Sequence, residues 1–171
     1  DSDNGALAVY NQISDITMQV GQEQWVKSYN NSGATIPNGS GVYVAASHGG
    51  TPSIALSDAS SELSSYALGA ATHDIPTGTY GYVTVQGVVS DVDTSAFIPG
   101  DKLHIGTTPG QLVKNIPNYP NYPNEIGEVL LADSPGGKIL VNRQPHTLET
   151  TRTTGEGRID GNLSVGGNLT V

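Results

Sequence analysis

The sequence predicts an all-β protein: a β-sandwich or barrel-like domain, then a short linker, then the start of a trimeric β-shaft. Three observations carry this expectation. Val and Ile are frequent while Lys and Arg together number 7 of 171 residues, a balance that favours strands over helices. Short runs of alternating apolar residues are separated by Gly, Pro and Asn turn signals, with no amphipathic helical pattern between them. The chain ends in "IDGNLSVGGNLTV", where Asn, Leu, a hydroxyl residue and Val recur as one short phrase said twice.

Taken in order, Gly5 to Val20 alternates loosely, and Ile16, Met18 and Val20 place a strand with one apolar face. A second strand runs near Trp25 to Tyr29 and stops at Asn30-Asn31-Ser32-Gly33, residues that tolerate positive φ. Pro37-Asn38-Gly39 turns the chain into a short strand, Val42 to Val44. Ile54 to Leu56 and Tyr66 to Leu68 read as strands, with a loop or one helical turn at Asp58 to Ser64 between them. The strongest β signal follows Pro76-Thr77-Gly78: Tyr80, Tyr82, Val83, Val85, Val88 and Val89, in which Gly81 and Gly87 mark a bulge or a close backbone approach. Lys102 to Ile105 forms a strand between two Pro/Gly turns. "NIPNYPNYPNEIG" is too rich in proline for a central strand and reads as an extended surface connection. "EIGEVLLA" and "KILVNRQ" are strands of a hairpin turned at Asp133 to Gly137. The organisation is therefore an all-β domain over 1–143, a polar linker over 144–158 and a repetitive segment over 159–171.

Composition narrows the function. A formal net charge of −9, from 16 acidic and 7 basic residues, repels phosphate backbones and anionic lipid, and Lys138, Arg143, Arg152 and Arg158 are too dispersed to form a patch. Nucleic acid is not an expected partner. No apolar run approaches the ~20 residues of a spanning helix, and Asp1-Ser2-Asp3-Asn4-Gly5 does not read as a signal peptide. A first residue other than Met implies processing or a start inside a longer chain. With no Cys there is no thiolate metal site or cysteine nucleophile.

The candidate chemical groups are sparse. "DSDNG" opens like a calcium loop, but Gly5 and Gln12 stand where that loop needs its third and last ligands. His48, His73, His104 and His146 lack metal-ligand spacing, so no metal or other cofactor is expected. Asp91 and Asp93 flank Val92 at a strand end, where alternation would put both carboxylates on one face, as glycoside hydrolysis uses them; a solvated turn is the alternative. No nucleophile elbow or phosphate loop is present, and the chain reads as a non-enzyme. Tyr119 and Tyr122 in the proline-rich loop suit either contact with glycan or a partner, or pinning of that loop to the domain.

In extended chain, Leu163 and Val165 project to one side, as do Leu169 and Val171, with Ile159 in phase upstream. A single chain leaves such a face wet, whereas several chains around an axis bury it and pair its backbone. Ile159, Leu163, Val165, Leu169 and Val171 are thus the expected trimer-shaft interface. Arg152 and Arg158 stand ready to neutralise Glu149 and Glu156 where chains converge, a weak contribution if exposed.

"GGNLTV" and "DGNLSVGGNLTV", after a polar linker, resemble the shaft-forming repeats of bacteriophage tail fibres. The body resembles a module of fibre and other virion proteins of tailed phages, many of them marine. It does so through "GALAVYNQ", "ITMQVGQEQWVKSYNNSGATIPNGSGVYVA", "IPTGTYGYVTVQGVVSDVDTSAFIPGD", "LHIGTTPGQL" and "IGEVLLADSPGGKILVN", in that order. These stretches cover most of residues 5 to 143, and their specificity lies in the order. The resemblance implies a homotrimeric structural component of the virion, made in the bacterial cytoplasm, whose partners are itself, other virion proteins of tail, baseplate or capsid, and host surface glycan. It supplies no catalytic residue and no cofactor. No tail-adaptor domain is visible, so a head fibre or capsid decoration protein stays open beside the tail fibre. A glycan-binding module, or a polysaccharide-degrading tailspike using Asp91 and Asp93, is the remaining alternative.

Overall fold

The computed structural model describes residues 7–12, 14–118 and 120–142. The linker, the repeated segment with Ile159, Leu163, Val165, Leu169 and Val171, and also Tyr119 and His146, lie outside the described residues. Within them the chain is almost entirely strand: β1 (Ala8–Asn11), β2 (Ile16–Gln19), β3 (Gln24–Asn30), β4 (Gly41–His48), β5 (Thr51–Leu56), α1 (Glu62–Ser65), β6 (Ala67–Ala71), β7 (Tyr80–Val92), β8 (Lys102–Ile105), β9 (Leu112–Val113), β10 (Glu125–Leu131) and β11 (Gly137–Asn142). Of the loop and the single helical turn left open at Asp58 to Ser64, the structure has the helical turn, and it reaches Ser65.

β1 and β2 form a separate antiparallel hairpin, and the other nine strands form one sheet ordered β3-β5-β4-β6-β7-β11-β10-β8-β9. Because β3 also pairs with β7, the first five strands close into a ring. The β3–β7 pairing is antiparallel, from Gln24 opposite Gln86 to Tyr29 opposite Tyr80, whereas the β3–β5 contact is short and parallel, Tyr29 opposite Ser53 and Asn30 opposite Ile54. The body is therefore barrel-like, with a second half hung on β7 through β11, β10, β8 and β9.

Each half has its own apolar cluster. Ile36, Val42, Ile54, Ala71, Ile75 and Val83 pack together in the ring. Val89, Leu103, Ile105, Ile126, Val129, Ile139 and Val141 pack with Ala59, Ala67 and Ala70 in the second half, flanked by Phe97 and Leu112. β7 contributes to both, because its odd positions Gly81, Val83, Gly87 and Val89 are buried along its length.

Turn chemistry fixes the connections. Asn30 is fully buried, and its amide nitrogen donates to the carbonyls of Ala34 and Ile75 while its Oδ1 accepts from the Ser32 N–H and hydroxyl. One side chain thus satisfies the turn after β3 and holds it to the ring. Thr94 does the same for the β10–β11 turn: its hydroxyl donates to the Leu131 carbonyl at 2.6 Å and accepts from the Asp133 N–H. Gly49-Gly50 is the hairpin turn between β4 and β5. Both glycines have positive φ, 58° and 82°, as a two-residue turn matched to strand twist requires.

Both glycines expected to be special in β7 are so. At Gly81 an added Cβ would lie 2.6 Å from Ile75, so glycine lets this core side chain cross the strand. Gly87 has φ +121° and faces Glu23, beside a register shift between Gln24 and Trp25 of β3. Gly81→Ala should destabilise the fold by about 1–3 kcal/mol through overpacking against Ile75. Combined with Ile75→Val, the cost in urea unfolding should be smaller than the sum of the single costs, and strict additivity would contradict this packing.

Candidate functional site

A recess of about 600 Å³ lies between the N-terminal hairpin and the outer face of the ring. Its origin is the pairing of β7. β3 begins at Gln24, opposite Gln86, so that edge of β7 has no strand beside it from Gly87 onward among the described residues. Asn38 takes over there, its amide nitrogen donating to the Ser90 carbonyl at 2.8 Å and to that of Asp91 at 3.1 Å. The groove that results is lined by Trp25 from β3, by Thr72, His73 and Asp74 after β6, by Val88, Ser90 and Asp91 of β7, and by Ser14 to Thr17 of the hairpin.

Val88 and Ser90 occupy even positions, on the face opposite the cores, as does Tyr82, whose ring lies 5.7 Å from that of Trp25. His73 packs on the same Tyr82 ring at 6.5 Å. Both its nitrogens are engaged. The Tyr82 N–H donates to Nε2, which assigns the proton to Nδ1, and Nδ1 donates to the Asp74 carbonyl at 2.8 Å. In this arrangement His73 is a wall rather than a base or ligand. Three groove carboxylates are likewise occupied: Asp15 accepts from the Tyr10 hydroxyl, Glu23 from the Gln19 N–H and Asp74 from the Asn38 N–H. The Asp15 hydrogen bond, and then its charge, raise the Tyr10 phenol above its ordinary pKa.

Asp91 is different. It has φ +58°, and Asp15 across the groove has φ +51°; they are the non-glycine residues with positive φ among those described. The left-handed backbone breaks strand alternation, which would have turned the odd-numbered Asp91 towards the core side, and lets it line the groove beside Ser90. This corrects the expectation that Asp91 and Asp93 share a face. Asp93 lines another recess with Ser95, Phe97 and Val92. Its carboxylate accepts from the Ser95 hydroxyl at 2.7 Å and from the Ser95 N–H, the solvated-turn alternative. The structure does not bring the two carboxylates into one recess, and the pair loses its geometric basis as an acid and base.

The described histidines do not converge. His48 stacks on Tyr29 at 3.8 Å in an exposed aromatic cluster with Tyr80, and His104 is buried on β8. Among the described residues no group of three or more His, Asp or Glu is arranged to hold a metal ion. Tyr122 is 42% exposed, and its backbone N–H donates to the Ala59 carbonyl, so the proline-rich loop is fastened to the second half of the body. From the sequence Asp15 carries no role, Trp25 is only a strand residue, and His73 is only one of four histidines without metal-ligand spacing. The available signal is that Trp25 is the chain's one tryptophan, on a predicted strand, but the groove needs residues from five separate segments.

The Ser95 hydroxyl first, then its N–H, holds the Asp93 carboxyl below its ordinary value of 3.8. A lowered folded pKa stabilises the protein above the ordinary value, and that stabilisation is lost as pH falls through the lower, folded value. The urea midpoints of the native protein and Asp93→Asn should therefore converge on acidification from about pH 6 to about pH 2; a constant gap would contradict the assignment. No family model, curated protein or solved structure matches the chain.

Proposed function

We propose that this chain is a structural component of a bacteriophage virion: a homotrimeric tail fibre whose β body docks on the particle or spaces the shaft, and whose C-terminal repeat enters that shaft. The observation that carries the reading is the repeated phrase Gly161-Asn162-Leu163-Ser164-Val165-Gly166 and Gly167-Asn168-Leu169-Thr170-Val171. It offers an apolar row that one chain cannot cover and that sister chains can.

The form of the body supports the reading. The two ends of the nine-stranded sheet are short of free backbone: one end strand, β3, is paired with β7 and at two residues with β5, and the other, β9, is two residues long. Ends so short offer few backbone groups to a neighbouring chain, which leaves the repeat as the better-suited surface for association. The same resemblance allows a head fibre in place of a tail fibre, since both platforms accept a trimer of this kind.

Light scattering on the intact protein should give three times the chain mass at micromolar concentration, and removal of residues 144–171 should give a folded monomer. A monomer for the intact protein at high concentration would overturn the proposal.

A further inference from the structure

We infer that the groove between the hairpin and the ring is a binding site for a neutral hexopyranose unit of a polysaccharide, held by hydroxyl hydrogen bonds and the Trp25 indole. This goes beyond the fibre reading and does not rest on it. The groove has the volume and the mixed aromatic and polar lining of a ligand site.

Its chemistry selects the ligand class. Among the described residues no Lys or Arg lines the groove, so phosphate, sulfate and carboxylate ligands find no counter-charge from them. The carboxylates of Asp15, Glu23 and Asp74 already accept hydrogen bonds from the protein. Asp91 is exposed, with no side-chain partner among the described residues. Two further groups of opposite sense are buried without partners in residues of this groove, the Trp25 Nε1–H donor and the Asn38 Oδ1 acceptor. Leaving such groups unpaired is unfavourable, and a ligand that pairs both removes that cost. An ammonium group satisfies acceptors alone, whereas a hydroxyl both donates and accepts. A ligand presenting several hydroxyls on a ring with an apolar C–H face matches Asp91, Asn38 and the indole together.

The hairpin wall must shift to admit it, since both unpartnered atoms lie beneath the groove surface. That wall is Ser14 to Thr17, tied to the ring by bonds that include Asn11 Nδ2 to the Tyr82 hydroxyl at 2.9 Å. Asp15 at its turn is already in a left-handed conformation.

Because Trp25 is the chain's one tryptophan, its emission reports on this groove alone. The intact protein is titrated with the methyl glycosides of glucose, galactose, mannose and N-acetylglucosamine, and separately with putrescine. The expected result is a saturable emission change with at least one glycoside, with dissociation constants in the millimolar range. Asp91→Asn keeps the left-handed backbone and removes the charge, and should weaken binding by about tenfold. Trp25→Phe, followed by calorimetry, should lose binding while its unfolding midpoint shows an intact fold. Binding unchanged in both variants, no saturable response to any glycoside, or a response to putrescine alone would overturn the inference. A trimer that binds no glycoside would sink this site and leave the fibre reading standing; a glycoside-binding monomer would do the reverse.

Discussion

Gln86 has a strand partner on each side, Gln24 of β3 and Asn142 of β11, and that double pairing joins the two halves of the body. β7 is 13 residues long. Its first half closes the ring against β3 and β6, and its second half carries β11 and the strands beyond. Val83 and Val89 place one residue of the same strand in each apolar cluster. Two small cores, each thin on its own, thus share one strand that neither can lose. Glycine makes this possible at two points, where Ile75 crosses Gly81 and where Glu23 lies against Gly87.

The groove follows from the same constraint. A strand longer than its neighbour must have an uncovered edge, and natural folds satisfy such edges with side chains or loops. Here the Asn38 amide donates to consecutive carbonyls of β7, and the loop that carries it becomes one wall. Trp25 and Tyr82 sit on the outer face because paired positions share a face with their neighbours, Trp25 opposite Thr84 and two residues from Tyr82. Site and scaffold are therefore not separable: the feature that ties the halves together also opens the recess.

Much of this architecture was legible in the residues. β8 spans Lys102–Ile105, as read from its flanking Pro/Gly turns, and the β10–β11 hairpin follows its Asp-Ser-Pro-Gly-Gly turn. Both succeed because turn chemistry and alternation agree locally. β4 runs past the Val42 to Val44 that alternation marks, since "AASH" lacks apolar alternation and is exposed; its pairing with β5 across Gly49-Gly50 extends it. β9 leaves no trace in the sequence pattern because two residues, Leu112 and Val113, carry no periodicity and owe their strand geometry to β8. Asp91 shows the limit most directly. Alternation places it with Asp93, and a single positive φ separates them. The trimer shaft, read from Ile159, Leu163, Val165, Leu169 and Val171, lies outside the described residues and rests on the repeat itself.

The sharpest check is native-state hydrogen exchange across β7 under increasing denaturant. If β7 unites the body, amides of Val83 and Thr84 in the ring and of Val88 and Val89 in the second half should open with one free energy and one denaturant dependence. Exchange in which the second half opens at low denaturant, while the ring amides keep their full protection, would show two independent units and contradict the account.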